Sequence, residues 1–304
     1  MYDIVIIGGG PAGLTAGLYA GRAKLKTLLI EQLVAGGQAA TTDLIENYPG
    51  VAEGSTGPDI TERMEEQAKK FGCEFVMAEV TGVDFSGKEK IVKTTNGEFK
   101  AKAVIVTSGA THRKMGCAGE VEFTGRGVSY CATCDAAFYE DLPVAVVGGG
   151  DSAISAALYL TKFASKVCVI HRRDALRATK VVQDKAFANP KIQIVWDSVV
   201  DEVKGGEIVE ALCLKNVKTG ALSDLPVNGV FMYIGLEPNT KFLAGQIKLD
   251  PKGYIPVAAN METDVPGVFA AGDVNAKLLR QVVTAVGDGA TAAVAAEKYI
   301  EDNF

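Results

Sequence analysis

The 304-residue sequence has no run of about 18 apolar residues free of charged side chains, so no transmembrane helix is predicted. It begins MYDIVIIGGG, with Asp3 where a secretory signal would carry basic residues, and we expect no signal peptide. Acidic residues outnumber basic ones, and the net charge of −6 disfavours a nucleic-acid-binding protein. Together these absences predict a cytoplasmic protein that binds neither membranes nor nucleic acids.

Histidine is scarce and cysteine is scattered. The chain has two histidines and six cysteines, and only Cys131 and Cys134 lie close together, in the segment SYCATCDAAF. A zinc site built on such a pair needs a second pair, or Cys and His partners at similar spacing, and neither is present, so we predict no metal. A reducing compartment disfavours a structural disulfide, which leaves a redox-active dithiol as the favoured interpretation.

The chain contains the same unit twice. An apolar strand runs into GGGPAG at residues 8–13, and 140 residues later another runs into GGGDSA at 148–153. A helical stretch and a second strand follow each motif, as in βαβ dinucleotide-binding units. The glycines permit a tight turn and close approach of a pyrophosphate, and the helix N-terminus supplies amide donors.

The ends of the second strands distinguish the two predicted ligands. Glu31 lies 23 residues after the first glycine of the first motif, and His171 lies 23 residues after that of the second. An acid at this position accepts hydrogen bonds from ribose hydroxyls, as in FAD or NAD sites. Arg172, Arg173 and Arg177 instead fit a 2′-phosphate, although a solvated basic turn would look the same. We therefore predict FAD at the first unit and NADPH at the second.

The predicted fold class is α/β, with two Rossmann-like three-layer dinucleotide-binding domains. Residues 1–113 and 242–304 are expected to form a discontinuous FAD-binding domain. The NADPH-binding domain, residues 114–241, is expected to be inserted into it and to carry the cysteine pair.

Three later features fit a flavin site. The glycine-rich GGQ at residues 36–38 is expected to pass close to the flavin, and Asp273, after a strand and Gly272, is placed to hold a sugar-alcohol hydroxyl. The small-residue helix that follows Arg280 could pack beneath the ring, and a plain buried helix is an equal alternative.

The cysteine pair is predicted to move with the NADPH domain, because Cys134 precedes the second glycine motif by only 14 residues. The nicotinamide and the dithiol would then meet the flavin in turn, by rotation between the domains. Access to the two faces of the ring is the competing geometry. Asp135 is the candidate proton shuttle for the thiols, and a helix N-cap is its other interpretation.

Seven segments together resemble the low-molecular-weight thioredoxin reductases over the whole chain: GGGPAGLTAGLYAGRA, GGQ…IENYPG, YCATCD, GGGDSA, IHRRDALRA, FAAGDV and RQVVTAVGDG. The resemblance implies a cytoplasmic, homodimeric FAD enzyme that carries electrons from NADPH, through the flavin and an internal disulfide, to thioredoxin.

The resemblance also implies residue roles. Cys134 would face the flavin, Cys131 would exchange with the thioredoxin disulfide, and Asp135 would be the general acid. The implied FAD-binding residues are Gly8, Gly10, Pro11, Ala12, Gly13, Glu31, Gln32, Gly37, Gln38, Asn47, Gly272, Asp273, Arg280, Gln281 and Val282. The implied NADPH-binding residues are Gly150, Asp151, Ser152, Ala153, His171, Arg172, Arg173 and Arg177.

One departure from the family pattern concerns the electron donor. Ser155 and Ala156 stand where the family usually carries two glutamates. NADH or reduced ferredoxin is therefore an alternative donor, and another thioredoxin-like carrier is an alternative substrate. A nucleotide-binding redox sensor without turnover is the non-enzymatic alternative.

Overall fold

The computed structural model describes residues 1–42 and 45–304. They divide into two compact units: unit 1 comprises Met1–Thr111 and Glu237–Phe304, and unit 2 comprises His112–Leu236. The divisions fall two and five residues before the boundaries expected from the sequence.

Seventeen strands and six α-helices are assigned within the described residues. The strands are β1 (Tyr2–Ile7), β2 (Thr27–Glu31), β3 (Glu74–Met77), β4 (Val80–Asp84), β5 (Lys90–Thr94), β6 (Gly97–Val106), β7 (Ala110–His112), β8 (Val128–Ser129), β9 (Pro143–Val147), β10 (Lys166–Ile170), β11 (Ile192–Val195), β12 (Ser198–Gly205), β13 (Val209–Asn216), β14 (Leu222–Pro226), β15 (Gly229–Met232), β16 (Leu236–Pro238) and β17 (Val268–Ala270). The helices are α1 (Pro11–Arg22), α2 (Gly57–Lys70), α3 (Ala132–Asp135), α4 (Asp151–Leu160), α5 (Lys180–Phe187) and α6 (Val282–Asn303).

Unit 1 is built on a seven-stranded sheet in the order β3-β2-β1-β6-β5-β4, with β17 also paired to β6. Strand β6 has different partners along its length. Its first half pairs antiparallel with β5, and its second half pairs parallel with β1 and β17. The five parallel strands β3, β2, β1, β6 and β17 therefore share one carboxyl edge, where α1 begins directly after β1.

Strands β1, β2 and β17 and the second half of β6 are largely buried, which explains their continuous apolar sequences, whereas the edge strand β3 is partly exposed. Along β1, Ile4 and Ile6 pack into a core that includes residues of α1 and α6, whereas Val5 and Ile7 pack into a core on the other face. That second core includes residues of β4 and β5. The alternation follows from the two-residue period of a strand, and it gives unit 1 three layers.

Unit 2 repeats this plan with different covering layers. Its parallel sheet has the order β11-β10-β9-β15-β8, and a separate antiparallel sheet has the order β12-β13-β14. Val144 and Val146 of β9 face a core with α4, while Ala145 and Val147 face a core with the antiparallel sheet. The fold class predicted from the sequence, two Rossmann-like three-layer units, is confirmed.

Among the described residues, no helix combines the length and the apolar character needed to cross a membrane. Helix α6 is the longest, with 22 residues, and its buried side is formed mainly by alanine and glycine. Small residues let α6 approach α1 closely. A Cβ atom on Gly289 would lie 2.2 Å from the Ala12 carbonyl oxygen.

We predict that Gly289→Ala lowers the free energy of unfolding by about 1–3 kcal/mol, because the added methyl must push α6 away from the α1 backbone. Chemical denaturation followed by circular dichroism measures the change. Thr291→Ala, at an exposed position on the same helix, is the control and should stay within about 0.5 kcal/mol of the wild type. Equal unfolding midpoints for Gly289→Ala and the wild type would contradict the packing argument.

Candidate functional site

The first glycine turn connects β1 to α1. Gly8 has a φ of 106°, and a Cβ atom there would lie 2.5 Å from the Thr107 carbonyl oxygen. At Gly13, a Cβ atom would lie 1.9 Å from the carbonyl oxygen of Gly8. Gly10 differs, because its φ is −71° and a Cβ atom there would have no neighbour within 4 Å. The turn thus needs glycine at two positions for its own packing, and Gly10 leaves open space beside the helix N-terminus.

Glu31, at the carboxyl end of β2, is folded back on this turn. Its Oε2 accepts a hydrogen bond of 2.6 Å from the Gly9 amide. Its Oε1 accepts from the amides of Gln32, at 2.8 Å, and Leu33, at 3.1 Å. These bonds fix the carboxylate beside the glycine turn. Each carboxylate oxygen can accept more than one bond, so the group retains capacity for ribose hydroxyls.

Long-range contacts bring other predicted residues to the same edge of the sheet. A Cβ atom on Gly37 would lie 3.2 Å from Gly10 Cα, and one on Gly272 would lie 2.9 Å from Ala12 Cβ. Gln38 Nε2 donates to the Ala110 carbonyl oxygen. The GGQ loop and the start of the turn after β17 therefore lie against the first glycine turn.

A second group of contacts lies at the start of α6. Asn47 Nδ2 donates to Gln281 Oε1 at 3.0 Å, and Val282 is the first residue of the helix. Arg280 donates to the carbonyl oxygens of Asp273, at 3.2 Å, and Asn275, at 3.0 Å. The residues predicted for FAD binding are thus held in one unit by backbone and side-chain contacts.

Asp273 has a buried carboxylate oxygen that is suited to a ligand hydroxyl. Its Oδ1 is buried and has no hydrogen-bond partner among the described residues. Burial raises the pKa of this carboxyl, and nearby Lys277 and Arg280 only partly oppose that effect. An unpaired buried carboxylate oxygen is costly unless a donor reaches it, and a ligand hydroxyl would supply that donor. The open space at Gly10 and this oxygen fit FAD.

The second glycine turn connects β9 to α4 in unit 2. Gly148 has a φ of 146°, and a Cβ atom there would lie 2.4 Å from the Tyr233 carbonyl oxygen. A Cβ atom on Gly150 would have no neighbour within 4 Å, as at Gly10. Asp151 Oδ1 accepts from the Thr179 amide at 2.8 Å, while Ser152 is exposed and Ala153 is buried. The turn is therefore built as the first one is.

His171 is buried, with 5% of its surface exposed, and its ring packs against the second glycine turn. A Cβ atom on Gly149 would lie 2.5 Å from its ring, and its Nε2 lies 3.1 Å from the Ala175 carbonyl oxygen. Burial lowers the pKa of the imidazole, and the arginines that follow it in sequence lower it further. The geometry gives His171 a positioning role, and its contact with a nucleotide stays a prediction.

The loop after β10 presents three arginines to solvent. Arg172, Arg173 and Arg177 are exposed, and within the described part of the chain none of them forms an ion pair with a carboxylate. The Gly149 carbonyl oxygen accepts from the amides of Arg177, at 2.6 Å, and Ala178, at 3.0 Å. The loop is thereby bonded directly to the glycine turn, so that the guanidinium groups and the turn can act on one nucleotide.

The two cysteines of unit 2 form a disulfide, with sulfurs 2.05 Å apart, at the start of α3. Cys131 is the N-cap, and its Sγ accepts from the Cys134 amide at 3.2 Å. The Cys131 amide donates to Ser129 Oγ at 3.1 Å, and the Ala132 amide donates to the Tyr233 hydroxyl at 3.1 Å. Cys134 is exposed and Cys131 half-buried, so that both sulfurs sit on a turn held from several sides.

Asp135 ends α3 and precedes a short 3₁₀ helix at Ala136–Tyr139. Its side chain makes no capping hydrogen bond to that helix, so the N-cap interpretation gains no support. The four other cysteines are free thiols: Cys73, Cys168 and Cys213 are buried and Cys117 is half-buried. Burial raises the pKa of Cys73 to about 12 and that of Cys117 to about 11. In the described ranges, no cluster of His, Cys, Asp and Glu is suited to a metal.

Several residues of the site escaped prediction from the sequence. Tyr233, directly after β15, holds the Ala132 amide, and Asp288 of α6 accepts from the Gly272 amide at 2.9 Å. Glu120 is 1% exposed, and its carboxylate accepts from the Met115 amide, the Gly116 amide and the Tyr130 hydroxyl at 2.6–2.8 Å. Tyr233 directly follows an apolar strand, whereas Asp288 lies within α6 and Glu120 lies between β7 and β8, away from both strand ends.

Comparisons with known proteins agree over the length of the chain. The profile of the family described as pyridine nucleotide-disulphide oxidoreductase matches residues 2–289. A thioredoxin reductase of Peptoclostridium litorale is 53% identical over 310 residues, which cover all of this chain and 98% of the relative. One from Streptomyces coelicolor is 50% identical, with 98% of this chain and 94% of the relative covered.

A solved structure gives the same result. The crystal structure of Lactococcus lactis thioredoxin reductase, described as the FR conformation, superposes with a TM-score of 0.98 at 46% sequence identity. The superposition covers 99% of this chain and all of that one.

The open space at Gly10 and Gly150 generates a paired prediction. An alanine methyl fits the protein at either position and would occupy the space through which a pyrophosphate approaches the backbone. We expect Gly10→Ala to fold and to be purified without flavin absorbance. Gly150→Ala should keep its flavin and bind NADPH at least tenfold more weakly. Each variant is the control for the other, and a fully flavin-loaded Gly10→Ala protein would contradict the assignment.

Proposed function

The chain belongs to the pyridine nucleotide-disulphide oxidoreductase family, in its thioredoxin reductase branch, and on that premise we propose that it reduces the disulfide of thioredoxin with electrons from NADPH. The observation that carries the proposal is the Cys131–Cys134 disulfide, which lies in the same unit as the second glycine turn. A dithiol that forms a disulfide at a partly exposed turn suits exchange with a protein disulfide.

The two units divide the binding roles. Unit 1 would hold FAD through the first glycine turn, Glu31, the GGQ loop, Asp273 and the start of α6. Unit 2 would hold NADPH through the second glycine turn and the arginines that follow His171. Bound FAD would supply hydride acceptance from NADPH and two-electron reduction of the disulfide. The rotation between the domains that the sequence predicts stays a prediction.

The thiols would act in sequence. Cys131, as a thiolate, attacks the thioredoxin disulfide and forms a mixed disulfide, and Cys134 then attacks Cys131 Sγ and releases reduced thioredoxin. The amide of Cys134 already donates to Cys131 Sγ, and this bond supports Cys131 as the sulfur that carries negative charge. Asp135, adjacent to Cys134, is proposed to hold the proton that the thiols take up and release.

The exposed arginines support NADPH as the donor. In α4, Ser155 is exposed and Ala156 is 7% exposed, so neither position offers an acid near the nucleotide. The 2′-phosphate of NADPH is the group that NADH lacks, and three exposed guanidinium groups are suited to it. The preference for NADPH would therefore come from the loop after β10.

We expect Arg172→Ala to raise about tenfold the NADPH concentration that half-saturates flavin reduction, and to leave that for NADH unchanged, because the lost guanidinium would interact only with the 2′-phosphate. Stopped-flow reduction of the flavin under anaerobic conditions, with NADPH, NADH and reduced ferredoxin in parallel, provides the measurement. Arg126→Ala is the matched control, since that guanidinium donates to the Glu122 and Glu207 carbonyl oxygens. Flavin reduction by ferredoxin but by neither nucleotide would refute NADPH as the donor.

Cys131→Ser should abolish thioredoxin turnover while flavin reduction by NADPH continues, because NADPH reduces the flavin without this sulfur, whereas reduction of the internal disulfide and exchange with thioredoxin both need it. Coupled thioredoxin assays and stopped-flow traces on the same preparation separate the two steps. Cys117→Ser, which removes another half-buried thiol of unit 2, should retain turnover. Unchanged turnover in Cys131→Ser would remove the pair from the mechanism, and a colourless preparation would favour a redox sensor.

We also propose a homodimer formed through unit 1. Helix α6 leaves Val283 and Val294 exposed by 38% and 53%, and Tyr19 of the neighbouring α1 is exposed by 43%. An apolar helix surface of this kind suits burial against a second copy. A sedimentation-equilibrium mass equal to that of one chain would contradict the proposal.

A cytoplasmic location is proposed on the basis of the thiols. The four cysteines outside the redox pair are all free, as expected in a reducing compartment. Cell fractionation with an antibody against this chain tests the proposal, and recovery from an extracytoplasmic fraction would contradict it.

A further inference from the structure

The residue between Ala132 and Cys134 in the redox turn has a contact that the proposed mechanism does not use. Thr133 Oγ1 lies 3.6 Å from Cys131 Sγ, within hydrogen-bonding distance for sulfur. The sulfur is part of the disulfide here and carries no proton, so the hydroxyl is the group able to donate. A thiolate has no proton to donate. In that state the Thr133 hydroxyl must be the donor.

Three backbone amides of the turn form hydrogen bonds to groups other than Cys131 Sγ. The Cys131 amide donates a hydrogen bond to Ser129 Oγ, and the Ala132 amide donates one to the Tyr233 hydroxyl. The Asp135 amide donates to the Cys131 carbonyl oxygen at 3.3 Å. Within the described residues, the Cys134 amide and the Thr133 hydroxyl lie within hydrogen-bonding reach of Cys131 Sγ. Both favour negative charge on Cys131.

We propose that Thr133 is a further catalytic residue, whose hydroxyl donates to the Cys131 thiolate and thereby sets both the reactivity and the reducing strength of the dithiol. The inference rests on the proposed function and deepens it. In the exchange reaction, the Cys131 thiolate forms a bond to one thioredoxin sulfur as the thioredoxin S–S bond breaks. The Cys134 thiolate then re-forms the internal disulfide, and two electrons leave with the thioredoxin dithiol, whose sulfurs take up two protons.

A hydrogen bond to the thiolate has two opposing effects on rate. It increases the fraction of Cys131 that is ionised at a given pH, and it makes each ionised sulfur a weaker nucleophile, with a Brønsted coefficient of about 0.4–0.5. Loss of the hydrogen bond should therefore slow the reaction of Cys131 at low pH and accelerate it at high pH. The pH profiles of the wild-type and variant proteins are expected to cross.

The test replaces Thr133 by valine, which has a similar shape and no hydroxyl, and by serine, which restores the hydroxyl. Each substitution is made in a Cys134→Ser background, so that Cys131 is a single thiol. Iodoacetamide alkylation of the full-length flavin-bound protein is followed from acidic to alkaline pH by peptide mass spectrometry. Cys117 is the internal reference, because burial raises its pKa to about 11 and its reaction should not respond to residue 133.

For Thr133→Val, we expect the ionisation constant of the Cys131 thiol to fall by a factor of about three to ten. The midpoint of its alkylation profile should therefore move to higher pH. A tenfold change would make alkylation about threefold slower on the acidic side and about threefold faster on the alkaline plateau. Thr133→Ser should restore the wild-type profile. Coincident profiles for the wild type and Thr133→Val, or a serine variant that behaves as the valine variant does, would overturn the proposal.

A second measurement uses the intact dithiol. The hydroxyl also contacts the sulfur in the disulfide, but a hydrogen bond to an ionised sulfur is stronger, so the reduced, ionised state is stabilised more. Loss of the hydroxyl should therefore make the dithiol a stronger reductant at alkaline pH. A tenfold change in the equilibrium constant equals about 30 mV for this two-electron couple. Equilibration of the Thr133→Val protein with dithiothreitol buffers should give a more negative potential than the wild type, and an equal or less negative one would count against Thr133.

The two hypotheses fail in different ways. If wild-type protein does not reduce thioredoxin, the proposed function fails, and the alkylation profiles still decide whether Thr133 acts on Cys131. If wild-type turnover is normal and the profiles coincide, only the role of Thr133 is lost.

Discussion

The architecture depends on the close backbone approach at the two glycine turns. At Gly13, a side chain would strike the Gly8 carbonyl oxygen, and at Gly148 it would strike the Tyr233 carbonyl oxygen. The Gly13 contact joins α1 to the carboxyl end of β1, and the Gly148 contact joins the carboxyl ends of β9 and β15 just before α4 begins. The open positions at Gly10 and Gly150 follow from the same geometry, and binding and folding are thus coupled at the turns.

Much of the fold was visible in the sequence because its main signals are local. The repeated glycine motif and the apolar strands before it predict two Rossmann-like units, and Glu31 lies where the spacing places it. The split pairing of β6 was not predicted, since each half of the strand is defined by partners distant in sequence. Tyr233 and Ala132 are 101 residues apart, and no local pattern reports that contact.

In the candidate site, too, some residues could be found from their spacing in the sequence and others could not. The arginines after β10 were identified by their position relative to the glycine motif, and their exposure agrees with a ligand-binding role. The burial of His171 was not evident, because a histidine beside three arginines reads as one more cation. Its position beneath Gly149 becomes apparent only when the parallel strands β9 and β10 are placed side by side. For Asp135, the neighbouring sequence suggested a helix N-cap, and its side chain does not form that capping hydrogen bond.

The loop after β10 is bonded to the glycine turn through main-chain atoms, and its arginine side chains are exposed to solvent without carboxylate partners among the described residues. In the proposed function, the main chain of this segment would fix its position, and its side chains would set the nucleotide preference. Exposed side chains of this kind can be exchanged without disturbing the packing beneath, and on the proposed function the protein's preferred reductant would change with them. Under the proposed function, dependence on a particular metabolic electron pool would be a replaceable surface trait of this chain rather than a property of the fold.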